Sequence, residues 1–140
     1  MGNKKAEPTI NQTATVATPT KKILIVEDEK LLADALEVKL KGAGYETFKA
    51  ENGQLGLSSI SQNKPDLVIL DIMMPIMDGR QMLTKLREMS EFKNLPVLML
   101  TNAGTSDNMH ETKFYFNAVD FLIKSNVSLE EIVAKVKQLV

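Results

Sequence analysis

Residues 21–140 predict an α/β fold, a doubly wound five-stranded parallel sheet in the order (βα)5. Three observations carry that prediction. Short, almost unbroken apolar runs recur along the chain, as expected of parallel strands covered on both faces. Stretches with apolar residues at helical spacing lie between them. The connections are too short for anything but alternating layers, and right-handed crossovers then place helices on both sides of the sheet.

Ile23–Val26 reads as the first strand. Leu32, Leu36 and Leu40 line one face of the first helix, which Gly42 and Gly44 stop. Tyr45–Ala50 alternates more than the other runs and reads as an edge strand. Asn52 suits the N-cap of a second helix ending before Pro65. Leu67–Leu70 is the third strand, and the helix after Gly79 carries Met82, Leu83, Leu86 and Met89 as its stripe. Val97–Leu100 follows as the fourth strand, then a fourth helix from near Ser106 and a fifth strand over Val119–Ile123. In the last helix Ser128 and Glu131 form a capping box, with Leu129, Ile132, Val133, Val136, Leu139 and Val140 as the apolar stripe. Periodicity leaves the strand order open; 2-1-3-4-5 is the common solution for five strands, the flavodoxin-like arrangement.

Residues 1–20, rich in Thr, Ala, Asn and Pro, bury too little to offset their ordering entropy and read as a disordered N-terminal tail. No apolar run approaches the about 18 residues of a membrane span, and the N-terminal stretch lacks the apolar core of a secretory signal. The absence of Cys excludes a disulfide framework, a thiol nucleophile and a thiolate metal site, which fits a cytoplasmic protein. The net charge is −1 but uneven: residues 1–22 carry +3 and the remaining 118 carry −4. A mildly acidic body is a poor electrostatic match for nucleic acid, so neither nucleic acid nor membrane is an expected direct partner.

Chemistry in such sheets gathers at the carboxyl ends of the strands, near the topological switch point. Glu27 and Asp28 end the first strand, Asp71 the third and Thr101 the fourth, and Lys124 follows the fifth. Were the first, third and fourth strands neighbours, these groups would converge on one shallow pocket. Packed carboxylates repel and need a cation to stay ionised. Oxygen-only ligation points to Mg²⁺, which keeps several waters and takes one or two protein carboxylates. Asp71 is the candidate nucleophile, because a carboxylate can form an aspartyl-phosphate. Lys124 would spread charge on the transferring oxygens, and Thr101 would donate a hydrogen bond.

The run Val26-Glu27-Asp28-Glu29, the block Asp71-Ile72-Met73-Met74-Pro75-Ile76-Met77-Asp78-Gly79 and the segment Phe121-Leu122-Ile123-Lys124 resemble bacterial two-component response regulator receiver domains. The intervals suit that family: 43 residues from Asp28 to Asp71, 30 on to Thr101 and 23 on to Lys124. The chemotaxis regulator of the family has the strand order 2-1-3-4-5, so that order is carried by the resemblance.

The resemblance implies a receiver domain over residues 21–140, either a stand-alone regulator or a piece of a longer protein, a phosphoacceptor in signalling rather than an enzyme, catalysing at most its own phosphorylation and dephosphorylation. Its donor would be a sensor histidine kinase or a histidine phosphotransfer protein, and its output a protein contact. Asp28, Asp71 and the Met73 backbone carbonyl would bind Mg²⁺ directly, with Glu27 acting through water. Thr101 and Phe121 would switch together and alter the surface formed by the fourth helix, fifth strand and fifth helix. The expected state is a monomer or a weak phosphorylation-dependent dimer.

Several residues have plainer readings. Glu29 is explained by the dipole at a helix N-terminus, and Asp78-Gly79 by a turn that starts a helix. Met73, Met74 and Met77 read as flexible packing around a loop, not as a metal-binding cluster. His110 lacks a nucleophilic partner and reads as solvent-facing on the fourth helix. Ser125 stands where the family usually has Pro after the Lys, so a trans Lys124–Ser125 bond and an altered loop are expected. Asn102 and Asn117 replace residues that are usually small. A haloacid-dehalogenase-like phosphatase also uses a strand-end Asp, but expects a second Asp where Met73 stands. A receiver-like module whose pocket no longer reacts is the remaining alternative; the acid pair, Asp71, Thr101 and Lys124 speak against it.

Overall fold

The computed structural model describes residues 19–102 and 120–140. The fourth helix expected near Ser106, with His110 and Asn117, and nearly all of the expected tail lie outside the described residues.

Five strands form one parallel sheet: β1 (Lys22–Val26), β2 (Glu46–Ala50), β3 (Leu67–Leu70), β4 (Val97–Thr101) and β5 (Asp120–Ile123). Their order is β2-β1-β3-β4-β5. Strand side chains alternate between the two faces of a sheet, so each apolar run feeds two cores. Leu24, Val26, Val68, Leu70 and Met99 face α2 (Gly53–Asn63) and α3 (Gly79–Glu88), where Ile60, Met82, Leu83 and Leu86 meet them. Ile23, Ile25, Leu67, Ile69, Leu98 and Leu100 face the opposite way. There they pack on Leu36 and Leu40 of α1 (Lys30–Gly42) and on Ile132 and Val136 of the C-terminal helix α4 (Leu129–Leu139). Each fully buried Leu or Ile contributes about 1.5–3 kcal/mol, which explains why the runs are unbroken rather than alternating with polar residues.

The helix ends follow local chemistry. Asn52 Oδ1 accepts the Leu55 amide at 2.9 Å and starts α2. Asp78 and Gln81 close a capping box at the head of α3, and Ser128 and Glu131 close another at the head of α4. α1 ends at Gly42, and Gly44 takes the left-handed backbone (φ +98°) that turns the chain into β2. β2 is one of the two edge strands, β5 being the other; it begins at Glu46, one residue later than expected, because the Tyr45 amide donates to the Leu40 carbonyl at the end of α1 (3.0 Å) and the Glu46 amide is the first to reach across to Lys21. No peptide bond is cis among the described residues, so the Lys124–Ser125 bond is trans, and Lys124–Asn126 forms a single 3-10 turn. Among the described residues, no helix is long and apolar enough to cross a membrane.

Candidate functional site

Register sets the site. Val26 is paired with Leu70, so the residues that follow, Glu27 and Asp71, leave the sheet side by side. Their amides remain tied to neighbouring strands: Asp71 N–H donates to the Val26 carbonyl at 3.0 Å, and Glu27 N–H to the Ala50 carbonyl at 2.9 Å. Thr101 at the end of β4 is paired with Ile123, and Lys124 comes next. The strand order thus puts four chain segments around one spot.

Glu27, Asp28 and Asp71 each place a carboxylate oxygen within 4.8 Å of the others. Glu27 and Asp71 are buried, whereas Asp28 is exposed. The Lys124 ammonium lies among them, 3.2 Å from Asp71 Oδ2, 3.0 Å from Glu27 Oε1 and 2.7 Å from Glu29 Oε1. A cavity of about 220 Å³ opens over this group, lined by Asp28, Glu29, Asp71, Met73, Asn102 and Lys124. Gly79 braces it from behind: its amide donates to the Ile72 carbonyl at 2.9 Å, and a Cβ there would overlap the Asp71 carbonyl oxygen. In the intervening loop Ile76 is left-handed (φ +69°), and Met77 N–H reaches back to the Pro75 carbonyl at 2.7 Å, closing a tight γ-type turn.

Burial raises the Glu27 carboxyl to about 7, against hydrogen bonds from the Glu29 amide and Lys124 that oppose the rise. Burial also raises Asp71, although the Lys124 charge pulls the other way. Burial would lower Lys124, but hydrogen bonds to Glu29 and Glu27 and the Asp71 charge outweigh it, holding the amine above the ordinary lysine range. The Lys124 ammonium therefore stands among four acids, Glu27, Asp28, Glu29 and Asp71. Among the described residues, Glu27 Oε1 is buried without a directed hydrogen bond; Lys124 Nζ is close, but its alignment serves Oε2. All-oxygen donors, one of them unsatisfied and one exposed, suit a hard divalent cation such as Mg²⁺.

Among the residues singled out from sequence, Glu27, Asp28, Asp71 and Lys124 are brought together. Met73 lines the cavity with an exposed side chain, and its amide is 3.4 Å from Asp71 Oδ1. Thr101 ends β4 beside them, but its side chain lies outside the described residues. Phe121 is buried in the core on the α2 and α3 side. Asp78-Gly79 is structural, as expected. The residue missed is Glu29. A helix-terminal charge accounts for it locally, and nothing in its neighbours signals a contact with Lys124.

The profile of the response regulator receiver domain family matches residues 23–137. The chain belongs to that family. Solved structures agree with it. A chain described as a response regulator from Chloroflexus aurantiacus is 36% identical, with a TM-score of 0.78 over 86% of this chain and 98% of that one. Chemotaxis protein CheY4 of Vibrio cholerae is 27% identical, with a TM-score of 0.80 over 87% and 100%. The receiver domain of a signal transduction histidine kinase from Syntrophus aciditrophicus is 31% identical, with a TM-score of 0.76 over 86% and 89%. Receiver domains are signalling domains of two-component systems; they accept phosphoryl groups from histidine kinases and bind Mg²⁺ at an acidic pocket.

Proposed function

We propose that this receiver domain accepts a phosphoryl group on Asp71 and passes the signal on by protein contact. The observation that carries the reading is Lys124 Nζ at 3.2 Å from Asp71 Oδ2, inside a cluster of three carboxylates. Glu27 and Asp71 have little structural reason to be buried acids, since charged groups are costly to bury without a task or a partner.

In the proposed step an Asp71 carboxylate oxygen forms a P–O bond as the P–N bond of the donor phosphohistidine breaks. The electron pair of that bond stays on the imidazole nitrogen. Phosphoryl transfer depends mainly on positioning and charge. Lys124 would pair with the phosphoryl oxygens, and the Thr101 hydroxyl would donate to one of them. Asp28, Asp71 and the Met73 carbonyl would hold Mg²⁺, with Glu27 acting through water. The bound ion would neutralise charge on the transferring oxygens.

Thr101 and Phe121 would then shift together and change the surface built from the predicted fourth helix, β5 and α4. Moving a 1:99 mixture to 99:1 takes a differential affinity of about 5.5 kcal/mol, so partial switching is a natural outcome. The functional unit in this reading is residues 21–140, with 1–20 as a tail. It works in the cytoplasm as a monomer or weak phosphorylation-dependent dimer. Its donor is a sensor histidine kinase or histidine phosphotransfer protein, and it turns over no substrate beyond its own phosphoryl group.

Intact-mass analysis with acetyl phosphate and Mg²⁺ tests this. The native chain should gain one phosphoryl group and Asp71→Asn should not. Equal labelling of both chains removes Asp71 from its role.

A further inference from the structure

Glu29 is the N-cap of α1, yet its side chain makes no hydrogen bond to the helix end. Capping therefore does not account for where its carboxylate lies. Its Oε1 is 2.7 Å from Lys124 Nζ, the shortest contact that ammonium makes within the cluster. An ammonium has three donors. Glu27, Glu29 and Asp71 each accept one, so all three are taken. A phosphoryl group on Asp71 brings new anionic oxygens to the same amine, and one present acceptor must yield. The Glu27 side chain is 2% exposed, whereas that of Glu29 is 61% exposed and can turn into water at little desolvation cost.

We propose that Glu29 is a positioning residue that competes with the incoming phosphoryl group for Lys124 and thereby slows phosphorylation of the domain. The inference rests on Asp71 being the phosphoacceptor. With acetyl phosphate as donor, the Asp71 oxygen–phosphorus bond forms as the phosphorus–oxygen bond to acetate breaks. Acetate leaves with the electron pair, and no proton changes hands. Before that step Glu29 occupies a donor of Lys124, and removing it frees that donor for the phosphoryl oxygens.

The test times labelling of the full chain by intact mass at several acetyl phosphate concentrations and fixed Mg²⁺. Glu29→Gln should label about three- to tenfold faster than the native chain, the scale of one hydrogen-bond donor of Lys124 set free. In a Lys124→Met background the same substitution should change the rate by less than about twofold, because the competed amine is gone. Glu29→Asp keeps a negative charge at the helix end but is one methylene shorter, and should also label faster than native. This arm decides the matter if Lys124→Met labels too slowly to time. Native rates in both Glu29 variants would overturn the inference. So would equal acceleration with and without Lys124, which is the signature of plain repulsion. Labelling of no chain at all removes the phosphoacceptor reading first, and this inference with it.

Discussion

Lys124 Nζ lies 3.2 Å from Asp71 Oδ2 across 53 residues of sequence, and the same amine spans Glu27 and Glu29. This single cation offsets a cluster of acids at the carboxyl edge of the sheet. Much of the chemistry proposed for the domain rests on that imbalance.

Removing the cation should therefore cost stability. In Lys124→Met, Glu27 and Asp71 stay buried without their counter-charge. We expect a loss of about 1–3 kcal/mol at pH 8 without metal, below the usual cost of breaking a fully buried pair because the acids can take up protons. Urea unfolding in EDTA measures it, and an unchanged midpoint would count against the pairing.

Glu27 predicts a pH dependence of definite sign. Its folded-state pKa is raised from 4.5 to about 7, so its contribution is fully present below about pH 4.5 and is lost as pH rises through about 7. Glu27→Gln removes that loss. The variant should be more stable than the native chain at pH 8 in EDTA, by about 1–3 kcal/mol, and should bind Mg²⁺ more weakly. Urea midpoints from pH 4 to 8 check the slope; Asp71, also raised, leaves a smaller slope in the variant. A variant that loses stability at pH 8 would contradict the assigned direction.

Gly79→Ala places a methyl group against the Asp71 carbonyl oxygen and the Ile72 backbone. Backbone cannot yield as a flexible side chain does, so a cost of about 3 kcal/mol is expected. Thermal unfolding of the variant should show a drop in Tm of several degrees. An unshifted Tm would show that the loop opens without strain.

Ile76 is β-branched, left-handed and 77% exposed, a combination that costs backbone energy without burying the side chain in return. Ile76→Gly should raise stability by about 1 kcal/mol, since glycine takes the positive φ of a γ-type turn without a Cβ clash. A lower urea midpoint than native would mean that the Ile side chain contributes more than its exposure implies.

The fold was legible because its signals are local. Unbroken runs such as Leu67–Leu70 mark strands buried on both faces, and Asn52, Asp78 and Ser128 mark helix starts through contacts three residues away. Strand ends rich in acids, with a Lys after the fifth strand, pointed to the candidate site through the α/β rule that chemistry gathers there, and the fold brings Glu27, Asp28, Asp71 and Lys124 together. Exact starts were less legible: Tyr45 has strand character, yet its amide is spent on the Leu40 carbonyl at the end of α1, which leaves it outside β2.

Glu29 marks the boundary between the two kinds of information. From its neighbours alone it is an acid at the head of a helix, and the helix dipole is sufficient reason for it. Its contact with Lys124, 95 positions later, exists only because Val26 pairs with Leu70 and Thr101 with Ile123, which brings distant strand ends to one edge. Periodicity and capping act over three or four residues, so they can say which elements form. Which side chains share a proton, a cation or a phosphoryl group depends on register between strands, and that is a property of the folded sheet.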